Sequence, residues 1–547
     1  MRPDRLTDAL VDRYTSAGMW NNALLDDYAK SAAELYPDDL ALVDRERTWT
    51  FAEVDERVNR VAAALQSLGV GKGDVVSWQL PNWAEACVLH LAVLRVGGIS
   101  NPIVAIYRER EVSFILKQAR SKIYVAPASF RNFDYFAMLA KLRPQLPALE
   151  ALVCVGGDAP DGVVPFERLL EDEAPVQPVE RTANDVVLLL FTSGTTADPK
   201  GALHTHNTLG YEVRSIRDLF EVSRASGDVI FMPSPLTHVT GLLYGIQMPF
   251  MLGIPVVLQD IWDPEQAVEL VERYRCTWTM AATPFLHGLV SASPPGKSTI
   301  RSFSCGGADV PPELVRRAAA HLDSFVTRIY GSTEYPTATS GRPGDPLEKC
   351  ALTDGRPIGD ALVRIVDEED RVLPPGVAGE LQVSGPELFL GYLDPSHNIA
   401  AFTPDGWFRT GDQAVIDLDG FVQITGRKKD IILRGGENIS AKEVEDLIFE
   451  HPKVAEVAVV AKPDPVLTER VCAFVVPRQG EEITLAELIG FLGTRGIAKQ
   501  KLPEDLRVVS ELPRTASGKI QKFRLRDQLK TPPSAPVGTS SADARTE

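Results

Sequence analysis

Val186-Val187-Leu188-Leu189-Leu190 runs without a break into Phe191-Thr192-Ser193-Gly194-Thr195-Thr196-Ala197-Asp198-Pro199-Lys200-Gly201. An uninterrupted run of Val and Leu predicts a buried strand. Small hydroxyl residues and a glycine then take over and end in Pro-Lys-Gly. That composition suits an anion cradle. Backbone N–H groups and hydroxyls can face a phosphate, glycine lets the backbone approach closely, and Lys200 adds positive charge. The G-x-x-x-x-G-K-[ST] spacing of a Walker loop is absent. Taken alone, the segment could also be an ordinary Ser/Thr/Gly-rich surface turn.

The remainder of the chain allows a nucleotide enzyme. At 547 residues it is too long for one core and predicts two or more domains. A formal net charge of −17 argues against nucleic acid or an anionic membrane as partner. A nucleotide site must therefore build its own positive field. Cys87, Cys154, Cys276, Cys305, Cys350 and Cys472 are scattered without C-x-x-C pairing, which points to buried thiols in a reduced, cytoplasmic protein. Met1 to Lys30 has no apolar core and does not read as a signal peptide. Val239 to Leu258 is interrupted by Gly241, Gly245, Gln247, Pro249, Gly253 and Pro255, so it predicts a buried helix and a strand rather than a membrane span.

Outward from the opening stretch, helix and strand patterns alternate. Val54, Val58, Val61, Ala62 and Leu65 recur at helical spacing over 51–69, with Gly69 as a C-cap. A strand follows over Asp74–Leu80, and a helix from about Trp83 to Val96. Further pairs continue to about 350 and predict an α/β architecture with largely parallel sheets. From 360 to 426 short strands and close turns take over, then another αβ segment from Glu443. Beyond Lys530 the chain is Thr, Pro, Ser, Ala and Gly, the composition of a disordered tail. No internal repeat is present.

Four further segments have chemistry that could join the cradle. Tyr330-Gly331-Ser332-Thr333-Glu334 offers a ring, a hydroxyl and a carboxylate able to hold Mg²⁺. Trp407-Phe408-Arg409-Thr410-Gly411-Asp412 presents a carboxylate in a turn, suited to a ribose diol. Gly426-Arg427-Lys428-Lys429-Asp430 closes the β-rich region. Pro513-Arg514-Thr515-Ala516-Ser517-Gly518-Lys519 puts one lysine on a Gly/Ser loop. Each alone is an ordinary turn or solvated face. Together and in this order, over about residues 40–526, they resemble the adenylate-forming superfamily of acyl-CoA synthetases, adenylation domains and beetle luciferases. One branch is especially similar, the ligases of cyclohexanecarboxylate and of short- and medium-chain fatty acids, through Gln79-Leu80-Pro81-Asn82-Trp83, Asn101-Pro102-Ile103 and Tyr107-Arg108-Glu109-Arg110-Glu111.

The resemblance implies an α/β fold. Its large N-terminal domain, 1–426, holds two αβ subdomains and a small β-barrel-like subdomain at about 360–426. A hinge at 427–429, a small mobile α+β C-terminal lid at 430–529 and the tail 530–547 complete it. It also implies residue roles. Thr192, Ser193, Gly194, Thr195, Thr196 and Lys200 would wrap the β- and γ-phosphates of ATP. Gly306, Gly307 and Ala308 would form the adenine-side loop, with Tyr330 against the base and Gly331 after it among the ATP-binding residues. Thr333 would contact the α-phosphate, Glu334 would bind Mg²⁺, and Asp412 and Arg427 would hold the ribose. Lys519 would bridge the acid and the α-phosphate. Lys429 matches the pivot about which the small domain rotates between half-reactions. Arg434, Gly435, Gly436 and Glu437 match the loop that lines the CoA tunnel. His238, Gly241, Leu242, Cys305 and Tyr335 are the candidates for the acyl pocket.

The implied reaction is ATP- and Mg²⁺-dependent joining of a carboxylic acid to CoA through an acyl-adenylate. No Asp stands near His238 to hold an amino acid's ammonium, so the expected substrate is a medium-chain or alicyclic acid, sterol side chains included. Loading of a carrier protein is the alternative, and a ligand-binding paralogue without activity is disfavoured by the intact motifs. A homodimer and a lysine acetyltransferase acting on Lys519 are the further partners considered. Two positions depart from the family pattern. Ala197 replaces a usual glycine, which predicts a raised KM for ATP if the position needs positive φ. Lys429 stands where CoA ligases commonly carry Asp.

Overall fold

The computed structural model describes residues 3–192, 199–307, 309–427, 430–434, 437–495, 497–515 and 518–530. The run that opens the phosphate motif forms the strand Val186–Thr192, buried from Val186 to Phe191. It pairs in parallel with Ile99–Pro102 on one side and antiparallel with Lys200–Thr205 on the other. A strand with neighbours on both edges and cover on both faces has no wet side, so its pattern is continuous rather than alternating. From Ile99–Pro102 the sheet continues through Val75–Trp78, Ile123–Pro127, Ala151–Val155 and Val164–Pro165, all parallel, to seven strands.

A second sheet has nine strands. Its parallel centre runs Phe325–Tyr330, Ser302–Cys305, Trp278–Ala281, Ile230–Met232, Val256–Leu258 and Leu40–Asp44, flanked by antiparallel edge strands. The helix Ala84–Arg95 is buried on nearly every face, from Ala84 to Leu94 except Glu85. One apolar cluster takes in this helix together with residues of both sheets. A helix apolar all round belongs in such an interior. Phe51–Ser67 follows the predicted helix and starts in a reciprocal cap between Thr50 and Glu53.

Val239–Leu252 is helical, with a π-turn at Leu243–Gln247, and Val256–Leu258 is the strand expected after it. Among the described residues no helix is long and apolar enough to cross a membrane. The β-rich region is an antiparallel meander of Leu362–Val366, Gly379–Ser384, Phe408–Ile416 and Val422–Arg427. All six cysteines are free and buried, as their scatter suggested.

The described residues fall into two compact units. One holds the chain up to Arg427 together with Arg514, Thr515, Gly518 and Lys519; the other holds Asp430–Pro513 and the residues from Ile520. The smaller unit is a sheet of Glu437–Ser440, Ile431–Arg434, Thr468–Pro477 and Val454–Asp464, with Asp505–Val508 added alongside Thr468–Pro477. Three helices accompany it, Ala441–Phe449, Leu485–Thr494 and Lys522–Lys530. Lys530, expected to begin the tail, thus ends a helix; the remainder of the tail lies outside the described residues.

Candidate active site

In parallel sheets, ligands gather beyond the carboxyl ends of the strands. Here the ends of Ile230–Met232, Trp278–Ala281, Ser302–Cys305 and Phe325–Tyr330 open onto one cleft. His238, Gly306, Gly307 and Gly331 line it, as does the apolar and small-residue wall of Val239, Met280, Ala281, Ile329 and Pro336. No acidic or cationic side chain lines this cleft among the described residues.

His238 is partly exposed, and its ring has no hydrogen-bond partner among the described residues. The loss of surrounding water holds its imidazole down to about 4, and the Lys519 ammonium pushes the same way. At neutral pH it is an uncharged polar group at the cleft. Lys519 itself belongs to the large unit and sits in a tight turn, its N–H donating to Thr515 Oγ1 at 3.1 Å and its carbonyl accepting from Thr515 N at 2.7 Å.

Three of the residues expected to hold the nucleoside come together around Tyr330. Tyr330 Oη donates to Asp412 Oδ2 at 2.6 Å, and Arg427 Nε lies 3.1 Å from Asp412 Oδ1. Asp412 is not in a turn, as the sequence suggested. It lies within the strand Phe408–Ile416, where the pairing jumps from Gln382↔Arg409 to Glu380↔Gln413. Thr410, Gly411 and Asp412 thereby bulge opposite Leu381, and Gly411 takes φ +72° to permit it. A bulge re-aims a side chain without breaking the sheet, so Asp412 meets Tyr330 and Arg427. Burial and the Asp412 carboxylate push the Tyr330 phenol up.

Thr333 is held through its carbonyl by His204 Nε2 at 2.8 Å. Glu334 is 9% exposed and accepts from Tyr392 Oη at 2.7 Å. Lys200 Nζ stands 5.2 Å from the centroid of the same tyrosine ring, and Thr192 is paired opposite Lys200. Neither His204 nor Tyr392 stood out in the sequence. A histidine inside a buried strand and a lone Gly-Tyr carry no spacing signal.

Several expected residues lie elsewhere. Leu242 is fully buried in the core shared by the two large sheets, and Gly241 packs so tightly that a Cβ would sit 2.1 Å from the Pro235 carbonyl oxygen. Cys305 ends its strand with Sγ 3.9 Å from Thr283 Oγ1, its thiol pushed up to about 12 by burial. Tyr335 belongs to the apolar cluster of the β-rich region. None of these four lines the cleft, because their backbone positions turn them into packed interior. In the small unit Arg434 is committed to Glu504 through two hydrogen bonds of 3.0 and 2.9 Å, and Glu437 is exposed beside it. Ser193, Gly194, Thr195, Thr196, Ala197, Asp198, Ala308, Lys429, Gly435 and Gly436 lie outside the described residues.

The donor set fits Mg²⁺. Among the described residues no group of three or more His, Cys, Asp or Glu side chains is placed to hold a metal. Glu334 would be the single protein ligand, and Mg²⁺ usually takes one or two carboxylates with phosphates and water.

The comparisons with known proteins agree with this geometry. The family model described as AMP-binding enzyme matches residues 29–393, and the AMP-binding enzyme C-terminal domain matches residues 443–519. A medium-chain fatty-acid–CoA ligase of Escherichia coli K12 is 36% identical, covering 94% of this chain and 92% of its own. A 2,3-dihydroxybenzoate-AMP ligase of Bacillus subtilis 168 is 32% identical over 95% and 96%. The ATP-bound structure of MatB from Rhodopseudomonas palustris superposes with a TM-score of 0.82 at 30% identity, covering 93% of this chain and 99% of that one. The chain belongs to the AMP-binding enzyme family, within the adenylate-forming superfamily and close to the acyl-CoA synthetases, and is an AMP-forming acid–thiol ligase that works with ATP, Mg²⁺ and CoA.

Proposed function

We propose that the substrate is a medium-chain or alicyclic carboxylic acid, bound with its apolar body against Val239, Met280, Ile329 and Pro336 and converted to its CoA thioester. The observation that carries this reading is the cleft wall, which is apolar and small with a neutral His238 and no charged group among the described residues. Such a wall suits an apolar acid and would leave a substrate ammonium unpaired. The medium-chain specificity in the name of the E. coli relative supports it.

In the first half-reaction a carboxylate oxygen bonds to the α-phosphorus, the bond from that phosphorus to the bridging oxygen breaks, and pyrophosphate leaves. In the second, the CoA sulfur bonds to the acyl carbon as its thiol proton is released, the bond from that carbon to the former carboxylate oxygen on the α-phosphorus breaks, and AMP departs with that oxygen. Phosphoryl transfer depends on alignment and charge neutralisation. Lys519 is assigned the charge between acid and α-phosphate, Lys200 the outer phosphates, and Thr333 the α-phosphate. Tyr330, Asp412 and Arg427 are assigned to the nucleoside. Mg²⁺ held at Glu334 would neutralise phosphate charge. On the thiol side, Arg434 and Glu437 are assigned to the pantetheine path, which requires Arg434 to exchange its Glu504 contact.

A second reading is transfer of the adenylate to a carrier protein's pantetheine, supported by the kinship with the B. subtilis AMP ligase. One panel decides both questions. AMP release is measured for linear C2–C16, cyclohexane, aromatic and sterol-side-chain acids, with CoA or with a holo-carrier protein as acceptor. Turnover led by medium-chain or alicyclic acids with CoA is expected. A preference for hydroxylated aryl acids, or for the carrier, overturns the reading.

A further inference from the structure

One short segment touches both charged parts of the phosphate end. Leu390 N donates to Leu203 O at 2.9 Å, Leu203 N to Gly391 O at 3.1 Å, and Leu393 N to Gly201 O at 2.7 Å. Residues 390–393 thus lie along the Lys200–Thr205 strand as an added edge, with Tyr392 paired to Ala202. On its other side Phe389 N donates to the Glu334 carbonyl oxygen at 2.8 Å. Tyr392 is itself fixed. Its N–H donates to Asn398 Oδ1 at 2.8 Å, and its ring packs edge-on to Phe389 with centroids 4.8 Å apart.

From this fixed place the side chain reaches two groups of opposite charge. Its hydroxyl donates to Glu334 Oε1 at 2.7 Å, and its ring lies 5.2 Å from Lys200 Nζ. A hydrogen bond to one carboxylate oxygen sets the rotation of the carboxylate, and a ring face holds an ammonium without neutralising it. A direct Lys–Glu ion pair would have spent both charges on each other. Interposing a tyrosine orders both and leaves each able to meet a ligand.

We propose that Tyr392 is the positioning residue of the metal and polyphosphate end of this site, orienting Glu334 toward Mg²⁺ and presenting Lys200 to the outer phosphates. This rests on the assignment of Glu334 as the Mg²⁺ ligand. The competing explanation is packing alone, since Tyr392 also belongs to the apolar cluster with Phe389, Phe402 and Phe408.

The test is calorimetric titration of the full chain with α,β-methylene-ATP, whose α–β bridge cannot be cleaved, at stepped Mg²⁺ concentrations and in EDTA. Tyr392→Phe keeps the ring and removes the hydroxyl. It should raise the half-saturating Mg²⁺ by about 10- to 100-fold, on the scale of one hydrogen bond to a charged group, with metal-free nucleotide binding unchanged. Tyr392→Leu, which also removes the ring, should weaken metal-free binding too. Tyr392→His restores a ring N–H donor and should recover much of the Mg²⁺ midpoint; it also supplies the readout if the phenylalanine variant does not fold. Glu334→Gln separates the two levels of the claim. If it raises the Mg²⁺ midpoint while Tyr392→Phe stays within twofold of the parent, Tyr392 is packing only and the proposal is wrong. If Glu334→Gln leaves the midpoint unmoved, the metal assignment fails and the proposal falls with it.

Discussion

The segment 331–338 is held by two tyrosine–glutamate pairs whose surroundings differ. In one, Tyr392 donates to Glu334, which at 9% exposed retains a little accessible surface. In the interior Tyr244 donates to Glu212 and lies 2.9 Å from Thr337 Oγ1, three residues past Glu334. Glu212 and Glu387 are 0% exposed, and among the described residues Glu212 Oε2 and both Glu387 oxygens lack a hydrogen-bond partner. Burial pushes Glu212 up to about 7, and burial followed by the Glu212 charge pushes Glu387 well above the usual carboxylate range. The same two residue types thus serve different ends. A glutamate that keeps some accessible surface can meet a charged ligand, whereas one sealed in the interior binds its proton more tightly and ties helix His206–Phe220 to the segment 331–338.

The largest expected effect separates the two pairs. Glu334→Ala should lower pyrophosphate–ATP exchange by roughly 10²–10³-fold, on the scale of losing one preorganised electrostatic group, with little change in unfolding midpoint. Glu212→Ala should do the reverse, costing about 2–4 kcal/mol of stability through its cavity and the disturbed Tyr244 hydroxyl while exchange in the surviving folded enzyme stays within about tenfold. Loss of exchange in Glu212→Ala at unchanged stability, measured by urea unfolding, would erase the distinction.

A pH series sharpens it. Glu212 binds its proton more tightly folded, near 7, than its ordinary 4.5. Its contribution is therefore full below about pH 4.5 and is lost as pH rises through about 7. Glu212→Gln, neutral at every pH, should gain about 1–3 kcal/mol on the parent between pH 5 and pH 8. Parallel pH profiles for the two proteins would show that Glu212 is ionised in the fold.

The smallest effect runs the other way. Burial lowers His204, which grips the Thr333 carbonyl, from 6.5 to about 4. Its contribution is present above pH 6.5 and is lost as pH falls toward 4. His204→Gln should shrink the stability lost between pH 7 and pH 5 by about 1–2 kcal/mol. His90 and His206 are lowered in the same way, so between pH 5 and 6.5 the histidines and the buried acids oppose each other.

The helix Phe51–Ser67, the strand Val186–Thr192 and the helix-then-strand of 239–258 were legible because burial along them leaves a periodic or continuous apolar pattern. Tyr330, Asp412 and Arg427 were legible through motif order, and the structure brings them together. The bulge that aims Asp412 was not, since it depends on the partner strand Gly379–Ser384 rather than on residues 407–412 alone. The acyl-pocket candidates were the least legible. Gly241, Leu242, Cys305 and Tyr335 have the apolar or small character of a pocket wall, but a packed interior selects the same character.

By itself, then, the sequence determined the order of strands and helices, the α/β class and the succession of nucleotide-binding segments. Each is written in local composition and spacing. Only the tertiary structure decided that Tyr392 stands between Lys200 and Glu334, and that His238 is neutral. It alone decided too that Glu212 binds its proton more tightly than an exposed carboxyl does. Protonation and orientation follow from desolvation and from hydrogen bonds made by segments far apart in the chain, and a linear pattern carries no record of them.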